Sequence, residues 1–349
     1  MATADLFDIA SYDYDLPEEL IAQNPVVPRD SSRLLLLDRH TGAMRHALFS
    51  EIVNFLDSSD LLVLNDTKVI PARLRGRKLP GGGKAEILLL KPLNSGWNEW
   101  EALVKPGRRL RDGTGIQLSD GTVVTVGERL EEGVRRIFFP AEKEVLPLLG
   151  EIGETPLPPY ITRSTAPASS YQTVFAAKDG SAAAPTASLH FTEELLRDLR
   201  ETTGVSIGWL TLHVGLGTFR PVQSSDIRAH SIHEEYCFLP LETKRLVEET
   251  KRRGGRVIAA GTTVARTLES MATGEEEMLW GEMNTRLFIF PGYRYRVIDG
   301  LITNFHLPKS SLLMLVSAFA GYDATMRAYE TAVAMKYRFF SFGDAMFIR

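Results

Sequence analysis

Apolar and polar positions follow two different grammars along this chain, and the change between them divides it. From about residue 73 to residue 139 the apolar runs are short and strand-like. They are Glu86-Ile-Leu-Leu-Leu90, Trp100-Glu-Ala-Leu-Val104, Gly115-Ile-Gln-Leu118, Thr122-Val-Val-Thr-Val126 and Val134-Arg-Arg-Ile-Phe-Phe139. Gly and Asp turns separate them, Gly81-Gly82-Gly83 reads as a loop, and Asp120-Gly121 is a hairpin signal. Strands of this length and spacing predict a small antiparallel barrel of about 80 residues.

Outside that stretch, strand alternates with helix. Leu61-Leu-Val-Leu64 reads as a buried strand. Thr192 is placed to cap a helix over 193–203, with acids in its first turn and Gly204 as its stop. Strand 206–213, helix 241–253, strand 256–260 and helix 263–271 follow. Strands are then predicted at 286–290 and 301–304, and helices at 311–320 and 323–338. The expected architecture is a layered α/β domain with a mostly parallel or mixed sheet, interrupted by the inserted barrel. Residues 1–68 with 151–349 form the α/β domain in this reading, and 69–150 the insert.

Composition adds limits. A chain of 349 residues suits about two domains. Its single cysteine, Cys237, excludes an internal disulfide and fits a reducing compartment. The first fifteen residues carry four Asp and no basic residue, which is no targeting pattern. The longest apolar run, 312–320, is too short to span a bilayer. A cytoplasmic protein with no membrane partner is expected.

The net charge of −4 argues at first against a polyanionic partner. Its distribution reverses that. Between residues 68 and 111, eleven cations face three carboxylates, a local balance of +8 against −12 elsewhere. Arg73, Arg75 and Arg77 alternate, so a strand would present them on one face. Lys78, Lys105, Arg108, Arg109 and Arg111 extend the basic character into a loop. These eight are the candidate RNA-phosphate contacts.

Ligands of open parallel sheets bind beyond the carboxyl ends of the strands. Five predicted strands end there in small, polar or ionisable residues: Asn65-Asp66-Thr67, His213-Val-Gly215-Leu-Gly217-Thr218, Gly261-Thr262-Thr263 with Arg266, Pro291-Gly292-Tyr293, and Thr303-Asn304-Phe305-His306. Gly215-Leu-Gly217 is no dinucleotide fingerprint, because Arg220 takes the third glycine position. His230 and His233 match no standard zinc spacing, so no metal is expected.

Several segments, spread over nearly the whole chain, resemble the S-adenosylmethionine:tRNA ribosyltransferase-isomerase (QueA) family. They include Tyr14-Asp-Leu-Pro-Glu-Glu-Leu-Ile-Ala-Gln23, Leu64-Asn-Asp-Thr-Lys-Val-Ile-Pro-Ala-Arg-Leu74, Tyr171-Gln-Thr-Val-Phe175 and Ala184-Pro-Thr-Ala-Ser-Leu-His-Phe-Thr192. Leu210-Thr-Leu-His-Val-Gly-Leu-Gly-Thr-Phe219 and Ile302-Thr-Asn-Phe-His-Leu-Pro-Lys-Ser310 belong to the same set. The resemblance implies an α/β domain with an inserted barrel and a monomer. It also implies transfer and isomerisation of the ribosyl group of S-adenosylmethionine onto 7-aminomethyl-7-deazaguanine at the tRNA wobble position. Epoxyqueuosine is the implied product, with adenine and methionine released. S-adenosylmethionine is then a ribosyl-donor substrate, and no prosthetic group is implied. A methyltransferase using the same donor is the rival reading, but Leu64-Asn-Asp-Thr67 lacks the glycine-rich loop it would need; a non-catalytic RNA-binding module is another.

That chemistry calls for proton transfers at the attacking amine, at the leaving adenine and at the C5′ carbon beside the sulfonium. With the resemblance, His213, His190 and His306 become the acid/base candidates, with Asp66 as an orienting or basic carboxylate. Asn65, Thr67, Gly215, Gly217, Thr218, Tyr236, Thr262, Thr263 and Asn304 are candidate substrate contacts. Arg266 is expected to hold a carboxylate or to pair with Glu269 along its helix. Tyr293 and Phe305 are expected to stack on a base or to belong to the core. The basic barrel is expected to grip the anticodon stem-loop while the wobble nucleotide reaches the α/β edge.

Overall fold

A computed structural model describes residues 4–215, 222, 224–274 and 277–349. Gly217 and Thr218 lie outside the described residues. Two compact units divide the chain: 1–67, 159–177 and 184–349 form one, and 68–158 with 178–183 form the other. The predicted insert, 69–150, lies within the second unit.

The first unit is built on a nine-stranded mixed sheet. Its centre is four parallel strands, in spatial order Ser206–Leu212, Leu61–Asn65, Val257–Ala260 and Gly300–Asn304. Leu61–Asn65 and Val257–Ala260 are buried along their whole length, as strands covered on both faces must be. Antiparallel strands extend the sheet on both sides. Glu235–Leu239 and Gly281–Thr285 continue one edge. On the other, Ala345–Ile348 runs antiparallel to Gly300–Asn304 and parallel to Arg33–Leu37, which pairs with Met44–Leu48.

Local chemistry explains several boundaries. Thr192 Oγ1 accepts from the Leu195 N–H at 3.1 Å, capping the helix Glu193–Asp198. That helix runs on through a wider turn to Thr203 and stops at Gly204, whose φ of 70° is the left-handed conformation glycine adopts without penalty. Ser310 caps Ser311–Ala320 through the Leu313 N–H. Leu62, Leu64, Ile258 and Ile302 pack in one core with Phe49, Phe191 and Phe347.

Two predicted elements move. The strand expected at 286–290 forms instead at Gly281–Thr285, because that segment has the partner, Glu235–Leu239. The last helix spans Tyr322–Ala334 and does not reach 338. Its last turn gives way where Lys336 takes a positive φ and Tyr337 turns into the core.

The second unit is a closed six-stranded antiparallel barrel, in spatial order Arg135–Phe138, Glu99–Lys105, Lys84–Pro92, Arg73–Leu79, Gly115–Leu118 and Val123–Arg129. Closure removes exposed strand edges. Alternation fills the interior: Leu74, Ile87, Leu89, Trp100, Ala102, Ile116, Val124, Val126 and Ile137 are buried inside. Gly76 sits where a Cβ would come within 2.6 Å of the Gln117 carbonyl, so only glycine allows these strands to meet.

Candidate active site

The four central strands point their carboxyl ends the same way, and their terminal residues gather there. Gly261, with φ of 107°, turns the chain from Val257–Ala260 directly into the helix Thr262–Met271. A residue with a Cβ would be strained at that turn. Ser310 ends the loop that follows Gly300–Asn304. Between these turns lies a cavity of about 170 Å³. Thr262, Thr263, Asn304, Phe305 and His306 line it, with Val214. Tyr160, Ala187 and Phe340 complete mostly apolar walls.

His306 is the histidine of this wall. Its Nε2 lies 2.7 Å from Thr303 Oγ1, and among the described residues its Nδ1 has no partner. Burial pulls its pKa down to about 3, so the ring is neutral at ordinary pH. Beside the cavity, the ends of Leu61–Asn65 and Ser206–Leu212 form a second polar group. Thr67 Oγ1 lies 2.7 Å from His213 Nδ1, and the His213 ring stacks on Tyr236 at 5.3 Å. Asp66 Oδ1 accepts from Thr211 Oγ1 at 2.6 Å. Burial, then the nearby Glu282 carboxylate, pushes the Tyr236 phenol up to about 12.

Asn65 joins the two groups. Its Nδ2 donates to the Leu212 carbonyl at 3.0 Å and to Thr263 Oγ1 at 3.2 Å. Its Oδ1 accepts from the N–H groups of Leu212 and Thr67, each at 3.1 Å. The amide is used up in holding protein groups, so Asn65 positions the site and has no hydrogen-bonding capacity left for a substrate.

The other expected residues fall differently. His190 is fully buried. Its Nδ1 lies 2.7 Å from Ser32 Oγ, its Nε2 3.2 Å from Asn304 Nδ2, and its ring stacks on Phe49. Burial, reinforced by Arg29, holds its pKa well below the usual histidine value. An Asn amide nitrogen can only donate, so Nε2 accepts and the remaining proton sits on Nδ1. This imidazole orients Asn304 from behind, and it is absent from the cavity wall. Arg266 pairs neither with a free carboxylate nor with Glu269. Its Nη1 donates to Glu235 Oε2 and its Nε to the Leu287 carbonyl at 3.0 Å. Both side chains of the pair are almost wholly buried. Glu235 Oε1 accepts from the Gly215 N–H at 3.1 Å, so the pair anchors Gly215 on the chain that leaves Ser206–Leu212. Glu269 instead binds the N–H groups of Arg296, Val297 and Ile298 and the Tyr293 hydroxyl. Tyr293 is thereby tied away from the cavity wall. The Phe305 ring packs among Tyr329, Tyr337 and Phe339 and has no exposed face on which a base could stack.

Glu235, Tyr160 and Phe340 escaped sequence reasoning. Nothing local to the sequence gives Glu235 its pairing with Arg266. Among the described residues, no group of three or more His, Cys, Asp or Glu is placed to hold a metal, and no helix is long and apolar enough to cross a membrane.

On the barrel, Arg73, Arg75 and Arg77 share the outward face as the alternation requires. Their charges are not equivalent. Arg75 is held bidentately by Glu154 at 2.7 and 3.0 Å. Arg73 and Lys105 both approach Glu86, at 4.0 and 3.6 Å. Lys78 Nζ donates to the Arg109 carbonyl at 3.0 Å, which brings the strand to the basic loop. Among the described residues Arg77, Lys84, Arg108, Arg109 and Arg111 are exposed cations without a carboxylate partner.

A mixed sheet with a histidine-walled cavity at its carboxyl edge, and a basic barrel inserted in the same chain, define an α/β protein with an inserted β-barrel. The profile of the family described as queuosine biosynthesis protein matches residues 9–348. The chain is 52% identical over 341 residues to the S-adenosylmethionine:tRNA ribosyltransferase-isomerase of Halothermothrix orenii, covering 97% of this chain and 99% of that one. The crystal structure of S-adenosylmethionine tRNA ribosyltransferase from Thermotoga maritima is similar with a TM-score of 0.57, at 41% identity, over 97% of this chain and all of the other. This chain belongs to the queuosine biosynthesis protein family.

Proposed function

We propose that this enzyme transfers the ribosyl group of S-adenosylmethionine to 7-aminomethyl-7-deazaguanine at the tRNA wobble position. It isomerises that group to the epoxycyclopentane of epoxyqueuosine and releases adenine and methionine. Family membership over residues 9–348 carries the reaction class. The cavity beside His306 supports its location. Mostly apolar walls with a few convergent polar groups suit a nucleoside, so the donor sits there against Thr262, Thr263 and Asn304.

His306 enters the reaction neutral, with Nδ1 as a lone-pair acceptor. It is the candidate base for the proton beside the sulfonium, whose positive charge acidifies that carbon. His213, bridged to Thr67 and stacked on Tyr236, is the second candidate, for the proton of the attacking amine or of the leaving adenine. Asp66 orients the end of Ser206–Leu212 through Thr211. Arg77, Lys78, Arg108, Arg109 and Arg111 supply phosphate contacts for tRNA.

Incubation of the enzyme with S-adenosylmethionine and tRNA bearing the aminomethyl precursor tests this, followed by mass spectrometry of nucleosides and small molecules. Free adenine and methionine with epoxyqueuosine in the tRNA are expected. S-adenosylhomocysteine with a methylated nucleoside would make the protein a methyltransferase. Binding without turnover would make it an RNA-binding module.

A further inference from the structure

His306 lies on the loop between Gly300–Asn304 and Ser311–Ala320, yet a base must be held within about 0.5 Å of its productive position. Two tyrosine hydroxyls hold its backbone on either side of the Cα. The His306 N–H donates to Tyr329 Oη at 3.0 Å, and the His306 carbonyl accepts from the Tyr14 hydroxyl. The two rings meet edge to face with centroids 5.3 Å apart. Tyr329 is fully buried on the helix Tyr322–Ala334.

Tyr14 comes from the N-terminal segment, which runs alongside the same loop. The Lys309 N–H donates to the Tyr12 carbonyl at 2.9 Å, and Lys309 Nζ meets Asp13 at 2.6 Å. Tyr322 pins the segment further by donating to the Ser11 carbonyl at 2.6 Å.

Thr303 sets the ring itself. Its Oγ1 lies 2.7 Å from His306 Nε2 and 3.2 Å from the Asn304 carbonyl; with its one hydrogen given to the carbonyl, it accepts from His306 Nε2–H. The proton of the neutral imidazole is then on Nε2, and the Nδ1 lone pair is the free one. Burial raises the ionisation of both Tyr14 and Tyr329 well above the ordinary tyrosine value, so both hydroxyls stay neutral. Packing alone would be served equally by phenylalanine. What the two hydroxyls add is a grip on the two peptide units that flank the His306 Cα.

We propose that Tyr14 and Tyr329 are positioning residues of the proton-transfer step, clamping the backbone on both sides of His306 so that its imidazole presents Nδ1 to the ribosyl donor. This rests on His306 being the base. The N-terminal segment is then a brace of the site and not a mere extension of the core.

Tyr14→Phe, Tyr329→Phe and the double variant of the full chain test it, with S-adenosylmethionine and precursor tRNA as substrates. Each single variant is expected to lower kcat about tenfold and the pair about a hundredfold, as sub-ångström misplacement of a reacting group does. The KM for S-adenosylmethionine should stay within about twofold in each. Imidazole ¹⁵N spectra should show His306 leaving a single Nε2–H tautomer for an averaged state. Wild-type kcat in both single variants overturns the clamp. So does a fall in kcat with unchanged His306 signals. If Tyr329→Phe fails to fold, Tyr14→Phe, on a half-buried ring, decides alone. His306→Ala separates the two levels. Wild-type turnover there removes His306 as the base. Loss of turnover there with fully active tyrosine variants removes only the clamp.

Discussion

The cavity edge and the barrel surface use polar side chains in opposite ways. At the cavity, the polar groups are buried and bonded to one another: Asn65 to Leu212, Thr67 and Thr263, His190 to Ser32 and Asn304, Arg266 to Glu235. On the barrel, Arg77, Arg108, Arg109 and Arg111 stand in water with no counter-charge among the described residues. Burial fixes protonation state and geometry, which proton transfer needs. Exposure keeps charges mobile and screened by salt, which suits a long polyanion gripped at many weak points. One chain thus keeps its polar groups bonded to one another in one unit and its cations in water on the other.

Removing the imidazole from the cavity should give the largest effect. His306→Ala is expected to lower kcat by about 10²–10⁴ while tRNA affinity is unchanged, measured by single-turnover assay and filter binding. A comparable loss of tRNA affinity would blur the separation.

Acid should attack the cavity side first. His306 has an ordinary pKa of 6.5 when unfolded and about 3 when folded. Between those values the unfolded chain binds more protons. The stability present above pH 6.5 is therefore lost progressively as pH falls towards 3, and His190, also shifted down, acts in the same direction. Urea unfolding from pH 7 to pH 4 should show this slope, and His306→Gln should flatten it by about one proton. An unchanged slope in that variant would mean that His306 is protonated in the folded protein.

Charge reversal on the barrel should act more evenly. Arg77→Glu with Arg109→Glu should weaken tRNA binding and reduce the slope of log K against log salt by about 0.7–0.9 for each phosphate that is no longer neutralised. The kcat at saturating tRNA should remain that of the wild type. An unchanged salt slope would put the RNA on another surface.

The smallest effect is expected next door on the same strand. Arg75→Ala should change tRNA affinity by less than about twofold, because Glu154 already holds that guanidinium. A loss equal to that of Arg77→Glu would show that the ion pair opens to receive phosphate.

The polar strand ends were legible because strands of a parallel sheet must terminate together, and Thr262, Thr263, Asn304 and His306 indeed meet around one cavity. The barrel was legible because short alternating strands have few other ways to bury their edges. Arg266 was not legible. An arginine beginning a helix after a strand looks free to hold a ligand, and its actual partner, Glu235, is 31 residues away on a strand whose neighbours no local pattern specifies. Tyr293 and the strand expected at 286–290 misled for the same reason, since local apolar runs do not say which segment finds a partner.

Periodicity, charge distribution and motif order are local properties, and they alone determined the two-part architecture, the basic strand and the family. Partners distant in sequence were decided only by the tertiary structure. It made His190 a buried prop, Asn65 a clamp and Arg75 a spent charge, and left His306 as the cavity-facing imidazole. The physical reason is that a side chain's chemistry depends on what surrounds it, and hydrogen bonds and desolvation are set by residues that only folding brings within reach.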